Sequence, residues 1–286
     1  MRSLAMTDRL SSLWQQRYRS PLPENLAGAL TDNKVSQSAV FDSLLTHRSV
    51  RAYLPDALPE GTIEAAIAAA QSAATSSNLQ CWSVVAVEDP VRRARLATLC
   101  GNQEHIATAP VFLVWVADLS RLQRIARSEA ETHEALDYTE AFLIAAIDTA
   151  LAAQNAVSAL EAAGLGTVYI GGLRNHPKEI AEKLALPEGC AGLFGLCVGY
   201  PDPAEPASIK PRLPQKAVLH RERYDLDAEA EIIAAYNALD DAFQKEQGLP
   251  PRRWSAAMAK RIATRAALHG RDTMMASLRA LGFPMK

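Results

Sequence analysis

Cysteine is scarce: Cys81, Cys100, Cys190 and Cys197 are the only four in 286 residues, and no two form a CxxC pair. That scatter excludes a disulfide framework or a zinc ribbon and fits a reduced, cytoplasmic chain. Neither sign of charge is in excess, with Lys+Arg 30 against Asp+Glu 32 and a formal net charge of −2. Bulk nucleic-acid binding needs a basic face, so that class is set aside, while a local basic pocket stays open. The N-terminus carries Arg2 and Arg9 but no apolar h-region, so no signal peptide is legible. The most apolar stretch, 141–160, is interrupted by Asp148, Gln154 and Asn155 and makes a poor membrane span. The six histidines show no metal-ligand spacing, and no metal is expected. What the chain does have is 49% apolar and 22% charged residues, enough to bury a sizeable core in one large domain or two small ones.

Periodicity divides the chain. Leu10, Leu13, Trp14 and Tyr18 fall at helical spacing within residues 1–36, while "SPLPENLAG" and "TDNK" read as loop. This part is taken as an N-terminal arm, packed on the main domain or on a partner subunit, or else a disordered leader. From 37 to 286 helices and strands alternate. Helices are expected over 60–73, 90–100, 135–163, 177–186 and near 227–246, with two short ones after that. Strands are expected at 83–89, 109–118, "GTVYIGG" and 192–201, and a proline-rich segment crosses at 201–214. On the wheel of the 135–163 helix, Asp137, Glu140, Asp148 and Asn155 share one stripe, and apolar residues occupy the rest. Such a helix belongs in the core, with a subunit contact as a further role.

Four pieces carry chemistry. "HRSVR" places Arg48 and Arg51 three apart with Ser49 between them, which suits a phosphate or a solvated basic turn. "SAATSSNLQCWS", 72–83, is a polar loop between a helix and a strand, able to bind a polyhydroxyl chain or simply to turn. "GLGTVYIGGLRN" has glycines at 164, 166, 171 and 172, which is neither GxGxxG nor a Walker A loop. Its Gly171-Gly172 pair permits close backbone approach to something flat, or a structural turn. In "SIKPRLP", Lys210 and Arg212 flank a stiffening Pro211. A flat, polar, phosphate-bearing cofactor suits all four.

Together "HRSVR", "SSNLQCW", "GNQEHIATAP", "AQNAVSALEAAGLGTVYIGGLRN", "FGLCVGYP" and "KPRLP" resemble, in this order, the oxygen-insensitive NADPH nitroreductase and NADPH–flavin reductase family, group A of the nitroreductase-like superfamily. The resemblance is strong over residues 40–225 and weak in the C-terminal helices. It implies an α+β fold, a mixed and mainly antiparallel sheet sandwiched by helices, in a homodimer with FMN sites shared by both chains. It implies hydride transfer from NADPH, with NADH as alternative donor, to FMN and then to a nitroaromatic, quinone or flavin acceptor. By position it assigns His47, Arg48, Ser49, Lys210 and Arg212 to the FMN phosphate and ribityl end, and Arg51 to the pyrimidine edge. Ser77 and Asn78, then Gln103, Glu104 and His105, are assigned to flavin contacts. Tyr169, Ile170, Gly171 and Gly172 are assigned to the ring. An arginine that relatives offer to the NADPH 2′-phosphate is replaced by Gln247, and Arg252 and Arg253 are the nearby substitutes. No side-chain nucleophile or base is required, because FMN carries the chemistry. The rival readings are a non-catalytic FMN-binding module and a relative with another reductive task, such as dehalogenation, for which 119–136 is long enough to form a modest lid.

Overall fold

A computed structural model describes residues 2–23 and 39–286. The chain forms two compact units, Met1–Arg48 with Ser208–Leu268, and Ser49–Ala207 with His269–Lys286. The loop reading of residues 24–36 lies outside the described residues.

In the first unit, α1 (Arg2–Tyr18) packs on α2 (Ala39–Thr46). Leu10 and Leu45 are buried there, with Leu13, Tyr18, Leu22 and Phe41 around them. The helical spacing of Leu10, Leu13, Trp14 and Tyr18 thus makes one apolar face, and the Trp14 and Tyr18 rings lie 4.2 Å apart. Two more helices, α9 (Glu229–Glu246) and α10 (Trp254–Ile262), meet through an edge-to-face Tyr236–Trp254 pair. Asn237 fastens the turn between them, accepting from the Ser255 N–H at 2.8 Å.

The second unit is built on a sheet of order β1-β2-β4-β3, from β1 (Trp82–Val87), β2 (Val111–Asp118), β3 (Gly166–Ile170) and β4 (Cys190–Gly199). All its pairings are antiparallel. Parallel pairing is limited to a bridge, Ser49 with Thr167. Every residue of β2 is buried, so both faces of the sheet are covered. Its alternation sorts the side chains: Phe112, Val114 and Val116 join the core formed with Leu96, Ile106, Leu173 and Ile180. Val111, Leu113 and Trp115 join the opposite core, with Ala66, Ala70, Ala152, Ala153 and Ala156. The first core is roofed by α4 (Pro90–Leu99), α5 (Glu104–Thr108) and α8 (Pro177–Lys183). The second is roofed by α3 (Thr62–Gln71) and α7 (Thr139–Ala162), whose facing alanines let the two helices approach closely. The short α6 (Ser120–Ser128) follows β2, and α11 (Met274–Ala280) precedes the C-terminus.

Two features of α7 differ from the sequence reading. The helix starts at Thr139, not 135, because Glu134–Asp137 is a 3₁₀ turn and Tyr138 is extended at φ −90, ψ 153. The C-terminal residue sets that break: the Lys286 N–H donates to the Asp137 carbonyl at 2.9 Å, and the Thr139 N–H to that of Lys286 at 3.2 Å. One member of the polar stripe turns inward. Asp148 is 2% exposed, while Glu140 and Asn155 stay exposed. Leu143, Ile147 and Leu151 are 48%, 57% and 45% exposed, and the buried face is mostly alanine, with Thr149, Val157 and Leu160. Among the described residues α7 is the one helix long and apolar enough to cross a membrane, and its alanine face belongs to the core.

Gly195 on β4 pairs with Val114 and packs under the Phe112 ring, with which a Cβ there would collide. Gly195→Ala should therefore lower the stability by about 1–3 kcal/mol, the cost of overpacking. Urea unfolding should show the loss, and Phe112→Leu in the same chain should recover part of it.

Candidate functional site

The cationic segments meet in the first unit. Arg17, in the last turn of α1, is only 5% exposed. A buried guanidinium is tolerated only where its donors are satisfied, and this one has carbonyls on several sides. It donates to Leu45 O at 3.1 and 2.9 Å, to His47 O, and to Lys210 O at 2.9 Å. One side chain thereby joins the backbone of residues 45–47 to that of Lys210, 193 positions away in sequence. The Lys210–Arg212 stretch is pinned again by the Arg212 N–H to Arg17 O at 3.2 Å and by the Tyr236 hydroxyl to Pro211 O at 2.9 Å. Pro211 is buried, while the side chains of Arg48, Lys210 and Arg212 are exposed around this knot. Arg17 was not among the sequence candidates. Its only sign there was a basic residue beside the apolar face of a helix.

The arginine pair near α10 divides. Arg252 is forked onto Asp240, Nε to Oδ2 at 2.8 Å and Nη2 to Oδ1 at 2.7 Å. Asp240 is fully buried, and its hydrogen bond holds the guanidinium pKa above its ordinary value against the cost of burial. Arg252 is thus committed to the fold, while Arg253 is exposed in the loop before α10.

The remaining candidates lie in the second unit. Ser49 bridges to Thr167 and the Val50 N–H donates to Thr167 O at 2.9 Å, which carries exposed Arg51 along the edge of β3. His105, in the first turns of α5, has its Nε2 buried with no hydrogen-bond partner among the described residues. Burial first, and then the Arg51 charge, pushes its pKa below the ordinary histidine value. Glu104 beside it is exposed. Gln103 donates to Cys100 O at 2.7 Å and lies 2.6 Å from where a Cβ on Gly172 would stand. Gly172 is therefore a close-packing glycine against its own chain. Gly171 has more room, with the Arg174 guanidinium its nearest neighbour at 3.4 Å. Arg174, another residue the motif reading passed over, donates to Leu193 O at 2.5 Å, and burial lowers its pKa. The Ile170 side chain is buried, leaving only its backbone for a ligand, and Tyr169 stands edge-on to Phe194 at 5.3 Å.

Ser77 and Asn78 form a 3₁₀ turn in which both residues have positive φ, 49 and 56, and Gln80 follows at 49. Non-glycine residues held in the left-handed region are strained and cluster at functional sites. Among the described residues no hydrogen bond joins this loop to Gln103, His105 or Gly171. Beside it a cleft of about 790 Å³ is lined by Ile63, Ile67, Asn78, Gln80, Trp82 and Arg121, among others. All four cysteines are free and buried, and burial lifts the Cys81 and Cys190 thiols to about 11, so they stay protonated.

Known proteins resemble this chain over most of its length. Residues 44–200 match the family model described as "Nitroreductase family", and residues 210–286 match "Nitroreductase family, C-terminal domain". The chain is 40% identical over 190 residues to an FMN reductase (NADPH) of Bacillus subtilis, covering 66% of this chain and 76% of that one. It is 38% identical over 220 residues to an oxygen-insensitive NADPH nitroreductase of Salmonella typhimurium, covering 76% and 88%. Among solved structures, NfrA1 of B. megaterium matches with a TM-score of 0.81 at 38% identity, covering 86% of this chain and all of that one. The NADPH:FMN oxidoreductase of Vibrio harveyi, complexed with NAD+, matches at 0.77 and 33%, covering 87% and 100%.

Arg17→Met would remove the guanidinium hydrogen bonds to the Leu45, His47 and Lys210 carbonyls. It should cost roughly 3 kcal/mol in urea unfolding, from the loss of charge-assisted hydrogen bonds to the backbone. Arg17→Lys, whose ammonium lacks the planar fork, should recover only part of it.

Proposed function

This chain belongs to the nitroreductase family, and from that premise we propose how its residues serve an FMN-dependent oxidoreductase. FMN, when bound, supplies the redox chemistry, taking a hydride from NAD(P)H and returning electrons to an acceptor such as a nitroaromatic, a quinone or a flavin. The protein supplies binding, orientation and charge. The observation that carries the site reading is the Arg17 knot, which presents Arg48, Lys210 and Arg212 on a backbone that cannot drift.

In this reading His47, Arg48, Ser49, Lys210 and Arg212 hold the phosphate and ribityl end. A preordered cluster of cations suits a phosphate dianion, because little conformational freedom is lost on binding. Arg51 stands at the pyrimidine edge, where a cation favours the anionic reduced flavin. Gly171 and the Tyr169–Ile170 backbone run along the ring, and Gln103, Glu104 and His105 contact it. The stranded His105 Nε2 and the room beside Gly171 are what such a ligand would fill. Gly172 serves by seating this segment against Cys100 and Gln103.

Ser77 and Asn78 act, in the same reading, from the second chain of a homodimer. Two observations support that: the loop has no hydrogen bond to the other ring contacts of its own chain, and α7 exposes Leu143, Ile147 and Leu151 in one row. Covering half-exposed aliphatic side chains of this kind is worth about 1 kcal/mol each. The buried free thiols fit the reducing cytoplasm in which we place the protein.

Lys210→Ala and Arg212→Ala should each weaken FMN binding by about 1.5–3 kcal/mol in titrations of the apoprotein, with the fold retained. Unchanged affinity in both would return this segment to a solvated loop. Ile147→Asp should yield a monomer by sedimentation and lose flavin with the dimer; a flavin-loaded monomer would refute the shared site. For the nicotinamide donor, Arg253→Ala should lower kcat/KM with NADPH and spare NADH. Arg252→Ala should act instead on stability, by roughly 3 kcal/mol, through the buried Asp240 left alone.

A further inference from the structure

Asp148 is the one carboxylate on the inward face of α7, surrounded by alanines, and it is 2% exposed. A carboxylate in that position is retained only if its surroundings satisfy it. Its partners all come from the polar loop, 67 to 73 residues earlier in the chain. The Thr75 hydroxyl donates to Oδ2 at 2.5 Å, the Ser76 N–H to Oδ1 at 3.1 Å and Oδ2 at 3.3 Å, and the Cys81 thiol to Oδ2 at 3.7 Å. The Thr75 oxygen in turn accepts from the Gln80 N–H at 3.0 Å. Both ends of the loop are therefore tied to one side chain.

Between those ties stand the three left-handed residues, Ser77, Asn78 and Gln80, none of them glycine. A plain turn would relax or recruit glycine at such positions. Strain of this kind persists only where the surroundings over-determine it, and the Asp148 bonds are what does so here. Gln80 adds a brace, its side chain donating to Asn78 Oδ1 at 3.1 Å.

We infer that Asp148 is a positioning residue for the cofactor: it does not touch the flavin, but it fixes the strained loop so that Ser77 and Asn78 are presented to FMN in one conformation. The inference rests on the assignment of Ser77 and Asn78 above and adds the residue that makes that assignment work. It also accounts for the burial of Asp148 on a helix whose Glu140 and Asn155 are exposed. Neighbouring positions of one helix divide the labour, with Ile147 facing out and Asp148 held inward against the loop.

The test uses Asp148→Ala and Asp148→Asn, the second keeping an acceptor for the Ser76 N–H. Thr75→Val reaches the same anchor from the loop side, should the alanine variant fold poorly. Two quantities are read on each protein: hydrogen exchange across residues 74–82 in the FMN-loaded form, and the FMN dissociation constant of the apoprotein. Asp148→Ala and Thr75→Val should speed exchange in this loop and raise the constant about tenfold, the effect of losing one charge-assisted hydrogen bond. Asp148→Asn should stay within roughly threefold of the parent, since a neutral acceptor keeps part of that bond. Unchanged exchange in the loop, or faster exchange with unchanged FMN affinity, would overturn the inference. Ser77→Ala separates it from the site reading: weaker FMN binding in Ser77→Ala but not in Asp148→Ala sinks the inference alone. A parent protein that binds no FMN sinks the site reading itself.

Discussion

The buried guanidinium of Arg17 is the constraint on which the proposed phosphate-binding segments depend. A charge at that depth must spend all its donors locally, and the carbonyls it finds belong to two chain segments that are remote in sequence. Satisfying Arg17 and bringing "HRS" against "KPR" are therefore one event. The charged side chains that result are exposed, but the backbone beneath them is not free to move. That combination suits the phosphate proposed for it, whereas on a merely basic surface each cation would have to be ordered at the moment of binding.

The second unit follows a different logic. Its central strand is buried on both faces, so helices must cover the sheet from both sides, and small residues on α3 and α7 let that cover lie close. On α7 the inward face is mostly alanine with Asp148, Val157 and Leu160, while Leu143, Ile147 and Leu151 face out. In the proposed homodimer the second chain would cover Leu143, Ile147 and Leu151, while Asp148 accepts hydrogen bonds from the loop.

Much of this was legible in the sequence. The strands stood out because runs such as "VFLVWVAD" are β-branched and aromatic, and the helix at Pro90 because proline marks its first position; Asp89, read there as the end of a strand, caps it by accepting from the Arg92 N–H. The family was legible through short motifs whose order is specific, and the likeness extends over both family models. What stayed hidden was non-local. The wheel groups Asp148 with Glu140 and Asn155 on one stripe; the partners that bury it, Thr75 and Ser76, lie on a loop far off in sequence. The helix start at Thr139 is set by Lys286, the last residue of the chain. Arg252 read as an available cation because Asp240, its partner, sits on the preceding helix across a turn. Gly172 read as a ligand-facing glycine, although the neighbour that needs the space is the Cys100 carbonyl.

The central claim is that a preordered cation cluster selects the phosphate of the cofactor. It is tested most directly by comparing the affinity of the apoprotein for FMN and for riboflavin, which carries the same ring and ribityl chain without the phosphate. The account predicts that FMN binds at least about a hundredfold more tightly, a difference of roughly 2.7 kcal/mol, and that added salt narrows the gap. Equal affinities for the two flavins would contradict it.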